Sequence, residues 1–207
     1  SYKQQQLYFN DFLQPRKCVA LGDFFKLGLL PEMEGIYRQD YRDHMDLPKE
    51  ERSIDAVFLS HAHEDHASLI HFLRKDIPIY SSHETKLILE FSEETSIDSF
   101  NDFTALHETF RFYTNKKGGI SRVTKKNAEY SHKREFITMN NGQEVTVGSL
   151  SVKIIPVDHS LRGACGFIIN SDEGSLVYTG DIRFNGLRPN LSTAFVEQAR
   201  SVKPKYL

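Results

Sequence analysis

Cysteine is scarce: Cys18 and Cys165 stand far apart, each in an apolar stretch. That spacing excludes a disulfide-stapled scaffold and fits reduced intracellular thiols. No apolar run is long enough to span a bilayer, no signal-peptide pattern opens the chain, and no internal repeat recurs along it. The expectation is a cytoplasmic protein with no membrane partner. A dominant charge is lacking too. Twenty-six Lys and Arg against 28 Asp and Glu leave a net charge of −2, which gives no global nucleic-acid footprint. Gly118-Gly119 is no phosphate cradle, because no helix start follows it. At 207 residues the chain is long enough for one substantial core, and one domain over 1–207 is expected.

Histidine is concentrated where it is present. Of nine in the chain, three fall within Ser60-His61-Ala62-His63-Glu64-Asp65-His66, directly after the strand-like run Ala56-Val57-Phe58-Leu59. His61 and His63 alternate, so in extended backbone their side chains leave on the same side. After Asp65 the apolar residues Ala67, Leu69, Ile70 and Leu73 take helical spacing, which puts Asp65 where a helix start favours a carboxylate. The bland alternative is a His-rich surface loop, but so dense a cluster in a chain with few histidines argues for a metal site. Imidazole nitrogens and carboxylate oxygens are the donors that zinc or a similar first-row ion accepts. Two later strands deliver matching groups at their exits. Val152 to Val157 runs into Asp158-His159-Ser160, and Ser175 to Thr179 runs into Gly180-Asp181. Either alone is ordinary turn chemistry; both following the His-rich loop, in this order, point to one site.

Together, His61-x-His63-x-Asp65-His66, His159 and Gly180-Asp181 resemble the metallo-β-lactamase fold superfamily. Asp158-His159-Ser160, Gly166-Phe167-Ile168-Ile169 and Tyr178-Thr179-Gly180-Asp181-Ile182-Arg183-Phe184 are most similar to ribonuclease J and other β-CASP nucleases. The resemblance covers about residues 50 to 200. It implies an α/β fold, an αββα sandwich of two mixed sheets between outer helices. It also implies His61, His63 and His159 on one metal, Asp65 and His66 on a second, and Asp181 bridging both. Two Zn2+ ions are implied, with Mn2+ as the alternative. The implied reaction is cleavage of RNA phosphodiester bonds by a metal-activated water, with Asp65 as general base. One further family histidine has no match, since none follows His159. With few strand candidates before the His-rich loop (Lys17–Leu21 alone), the chain reads as part of a longer protein, and little activity is expected of it by itself. Two other readings remain open: a small-molecule metallohydrolase acting on an ester, lactone or amide, and a non-catalytic subunit with an incomplete metal site. A homo-oligomer is also left open.

Around these motifs, Glu84 reads as the start of a second helix and Thr193–Ala199 as a closing one, with a strand-rich stretch between them. Glu64 reads as a solvated carboxylate, His71 as a packed or solvated residue, and Cys165 as a small buried one. Charge is segregated: Glu90, Glu93, Glu94, Asp98 and Asp102 precede a basic stretch carrying Lys116, Lys117, Arg122, Lys125, Lys126 and Lys133. Phe112, Tyr113 and Tyr130 are interleaved with those cations. Such a segment can hold a phosphodiester backbone and stack bases, or it is simply a solvated hairpin.

Overall fold

A computed structural model describes residues 20–95, 100–108, 112–122 and 128–207. In chain order the elements are α1 (Ala20–Lys26), α2 (Gln39–His44), β1 (Val57–Phe58), α3 (Glu64–Ala67), β2 (Ile79–Ser82) and α4 (His83–Thr95). Then come β3 (Ala105–His107), β4 (Phe112–Thr114), β5 (Ile120–Arg122), β6 (Ser131–Lys133) and β7 (Phe136–Met139). The last are β8 (Glu144–Val147), β9 (Leu150–Pro156), β10 (Cys165–Ser171), β11 (Gly174–Tyr178) and α5 (Pro189–Ser201). The chain divides into two compact units. One comprises Ser1–Ile54, Ser68–Ile77 and Ser96–Arg134; the other comprises Asp55–Ala67, Pro78–Thr95 and Glu135–Leu207.

The second unit is a layered sandwich. β1, β2 and β7 form a parallel sheet, and β8 to β11 form an antiparallel one in the order β11-β10-β9-β8. Among the described residues the pairings of the first sheet are parallel and those of β8 to β11 antiparallel, with one parallel bridge, Leu176 to Tyr206, beside β11. The reason lies in the connections. Short turns at Gly148 and at Asp172-Glu173 fold β8–β9 and β10–β11 back on themselves, whereas β1 reaches β2 by a crossover. Alternation along β9 then sorts its side chains. Val152 and Ile154 join Met139, Cys165 and Phe167, with Phe58 and Tyr80 packed against them, in a core between the sheets. Ile155 and Val157 join Ile168, Val177 and Phe195 in a second core under α5. Ser82 caps α4: its Oγ accepts the Thr85 N–H at 3.1 Å and donates to the Gly163 carbonyl at 2.7 Å.

In the other unit, β3 pairs with β6 and β4 with β5, both antiparallel. Its polar centre is buried. Arg38, 1 % exposed, donates to both Asp40 oxygens, to Asp102 Oδ2 and to the His71 and His107 carbonyls. His71 accepts the Asp102 N–H at Nδ1 and lies 2.9 Å from the Tyr41 hydroxyl at Nε2, which fixes it as the neutral Nε2–H tautomer. His71 is therefore packed inside and is no ligand. Two element expectations are corrected. The strand expected over Lys17–Leu21 has its first three residues outside the described ones, and Ala20 and Leu21 open a helix, because Leu21, Phe24 and Phe25 share helical spacing. The single helix expected after Asp65 is α3 followed by a 3₁₀ segment, Ser68–Phe72, which buries Ile70, His71 and Phe72. Lys125, Lys126 and Asp98, named in the charge pattern, lie outside the described residues.

Candidate metal centre

Three strand exits bring the candidate ligands together in the sandwich unit. His61 to His66 follow β1, with Glu64 and Asp65 in the first turn of α3. His159 follows β9 and Asp181 follows β11. The exits are tied by backbone: the Cys165 N–H donates to the Ser60 carbonyl at 3.0 Å, and Cys165 pairs with Pro156 across β9–β10. Gly180 lets the third exit approach. Its φ is +57°, and a β-carbon there would meet the Cys165 carbonyl oxygen at 2.8 Å and Ser60 Cβ at 3.0 Å.

The nitrogens converge tightly. His63 Nδ1 lies 3.0 Å from His61 Nε2 and 3.1 Å from His159 Nε2. Asp181 Oδ2 is 3.5 Å from His159 Nε2 and 4.0 Å from His61 Nε2. Its other oxygen faces elsewhere, with Oδ1 3.3 Å from His66 Nε2. Asp65 Oδ2 stands 3.8 Å from that same His66 nitrogen. Donor atoms of His61, His63, His159 and Asp181 all lie within 4.8 Å of one another. Donors bonded at 2.0–2.1 Å to a tetrahedral zinc stand ~3.3 Å apart, so this set fits a zinc-sized ion. Ser60 Oγ, 3.0 Å from His61 Nδ1, can take that ring's N–H and so aim Nε2 into the cluster.

The electrostatics suit cation binding. His61 has no exposed surface. Burial, then the neighbouring His66, His159 and His63, push its pKa from 6.5 down to about 4 against the pull of Asp181. His159 is lowered as well, by burial foremost; Asp181 opposes the shift, and His63, Arg183 and His66 add to it. Both rings are thus neutral near pH 7, with lone pairs to give. Glu64 and Asp65 are exposed. Cys165 is 2 % exposed, its thiol pushed up to about 12 by burial, and it donates to the Ser60 carbonyl. It is a packed wall of the site.

Residues 35–204 match the family model of the metallo-beta-lactamase superfamily. The chain belongs to that superfamily. Ribonuclease J of Mycobacterium tuberculosis (strain CDC 1551 / Oshkosh) is 26 % identical over 165 residues, which are 78 % of this chain and 22 % of that protein. Ribonuclease J of Sinorhizobium meliloti (strain Sm2011 / Rm2011 / 2011) is 26 % identical over 148 residues, 70 % of this chain and 20 % of that one. This chain thus spans about a fifth of the curated relatives it matches. A crystal structure of a protein of unknown function from Enterococcus faecalis V583 superposes with a TM-score of 0.63 at 29 % identity, covering 86 % of this chain and 37 % of that one. The chain thus carries a metallo-beta-lactamase superfamily domain with a His/Asp cluster whose donor atoms lie close enough together to hold a metal ion.

Sequence reasoning passed over two residues beside the cluster. Asp158, directly before His159, has no exposed surface, and Arg183, two residues after Asp181, reaches its carboxylate at 3.4 Å. Both sit inside motifs that drew attention for their neighbours. The signal was there only as an acid and a base, each next to a ligand.

Proposed function

We propose that this protein is a zinc-dependent ribonuclease. In this reading His61, His63 and His159 would hold one ion, Asp65 and His66 would hold a second, and Asp181 would serve both. The observation that carries it is the split of the Asp181 carboxylate, one oxygen toward the three-histidine cluster and the other toward His66. When bound, divalent metal supplies Lewis-acid polarisation of the phosphate and lowers the pKa of the attacking water. Asp65 accepts that water's proton, and its exposure leaves room for water at its carboxylate. His61, buried and 3.0 Å from Ser60 Oγ, is held in its orientation. RNA as substrate is supported by the likeness to proteins named ribonuclease J. It is supported also by the β4–β5 hairpin, which presents exposed Lys116 and Lys117 at its turn and Phe112 at 66 % exposure.

A second reading, a small-molecule metallohydrolase, draws on a cavity of about 400 Å3 in the sandwich unit, lined by Met139, Ile154 and Leu191 together with Glu84, Asn141 and Arg188 and by none of the candidate ligands. That volume suits a small-molecule ester or lactone. One experiment separates the two. End-labelled RNA and a panel of nitrophenyl esters and lactones are offered to the zinc-loaded protein, beside EDTA-treated protein and Asp65→Asn. RNA cleavage that EDTA abolishes, and that Asp65→Asn slows about 100-fold or more, supports the ribonuclease. Turnover of the small esters with intact RNA overturns it.

A further inference from the structure

The geometry points to Asp158, Arg183 and Gly186 as a positioning clamp that fixes the His159 and Asp181 exits relative to each other. This inference rests on the metal reading above. Asp158 has no exposed surface, yet it is a carboxylate next to a candidate ligand. A buried acid costs free energy unless it is paired, so its retention calls for a partner with a task. That partner is Arg183. Its guanidinium reaches Asp158 Oδ1 at 3.4 Å, and its own N–H donates to the Asp158 carbonyl at 3.0 Å. Ser192 at the start of α5 closes the ring. The Asp158 N–H donates to Ser192 Oγ at 3.0 Å, and the Ser192 hydroxyl donates to the Arg183 carbonyl at 2.6 Å. Four contacts therefore tie the residue before His159 to the residue two past Asp181. None of them touches the cluster itself.

Gly186 supplies the remaining constraint. Asp158 Oδ2 and Arg183 Nε are both buried, and a β-carbon built on Gly186 overlaps both atoms. The pair therefore occupies the space that a side chain at 186 would need. Glycine there is required by close approach, since its backbone needs no left-handed angle. A two-sided fit of this kind fixes an angle as well as a distance. It sets how the His159 ring and the Asp181 carboxylate face the shared position, as groups behind metal ligands commonly do.

The test is zinc affinity by chelator competition and the visible absorption of the Co(II)-loaded protein, for wild type, Arg183→Met, Arg183→Lys and Gly186→Ala. Zinc binding should weaken about 10- to 100-fold in Arg183→Met and Gly186→Ala, with an altered Co(II) spectrum, at a temperature where the metal-free variants are folded. Arg183→Lys should recover most of the affinity. Should Arg183→Met fail to fold, the neutral pair Asp158→Asn/Arg183→Met removes the lone buried charge and is measured in its place. Unchanged affinity and spectrum in folded variants overturn the clamp, and so does a loss that merely tracks melting temperature without rescue by lysine. A wild type that binds no zinc overturns the metal reading and the clamp with it; a wild type that binds, with indifferent variants, overturns the clamp alone.

Discussion

Acidifying the metal-free protein should destabilise it through His61. That ring has no exposed surface and a pKa of about 4, against 6.5 when released from the fold. Between those values the unfolded chain holds a proton that the folded one refuses. Stability therefore falls as pH drops through this window, and the loss levels off below the folded value. From about pH 7 to about pH 5 the linkage for one such group amounts to about 2 kcal/mol. Water reaches the site through Asp181, whose side chain is 46 % exposed, and screening reduces the figure to about 1 kcal/mol. Urea unfolding of EDTA-treated protein at both pH values, beside His61→Gln, isolates the contribution, because other titrating groups are common to both proteins. The wild type should lose about 1 kcal/mol more than the variant on acidification. An equal loss in both, or a wild type that gains stability at the lower pH, refutes the burial argument.

Two more outcomes follow from the same geometry. Asp181→Asn keeps the shape but removes the charge that faces both halves of the cluster. In the full-length protein it should cost about two to four orders of magnitude in rate and lower metal occupancy, by activity assay and metal analysis, while RNA affinity holds. Unimpaired cleavage would remove Asp181 from the site, and unchanged RNA affinity in Lys116→Ala/Lys117→Ala would remove the hairpin from recognition. His71→Leu strips the Asp102 N–H and the Tyr41 hydroxyl of one partner each inside the other unit, and should cost about 2 kcal/mol in urea unfolding. A change below about 0.5 kcal/mol would show that this buried network holds its shape without the ring.

The cluster was legible because its signal is local. His61 and His63 alternate on one short stretch, and His159 and Asp181 each end a strand whose apolar pattern announces it. The turn at Asp172-Glu173 between the paired strands β10 and β11, and the Asn141-Gly142 turn that carries the chain from one sheet to the other, likewise rest on local turn chemistry. The break between α3 and the 3₁₀ segment was not. Leu69, one of the apolar residues at helical spacing, is 44 % exposed, while His71, read as packed or solvated, is fully buried. A polar residue carried inward by tertiary partners defeats a periodicity argument, because Tyr41 and Asp102 are far from it in sequence.

The same limit explains Asp158. It is a charged residue with no exposed surface, and the group that neutralises it, Arg183, is one that sequence spacing does not bring near. For Asp158, burial acts to raise the carboxyl pKa, yet the Arg183 hydrogen bond, the Arg188 backbone and both positive charges hold it below the ordinary range. Its charge is thus kept at neutral pH beside a centre built to gather cations. Local pattern can say where ligands leave their strands. How the exits are held against one another is decided by pairs such as Asp158 with Arg183, whose partnership exists only once β9, β11 and α5 have packed.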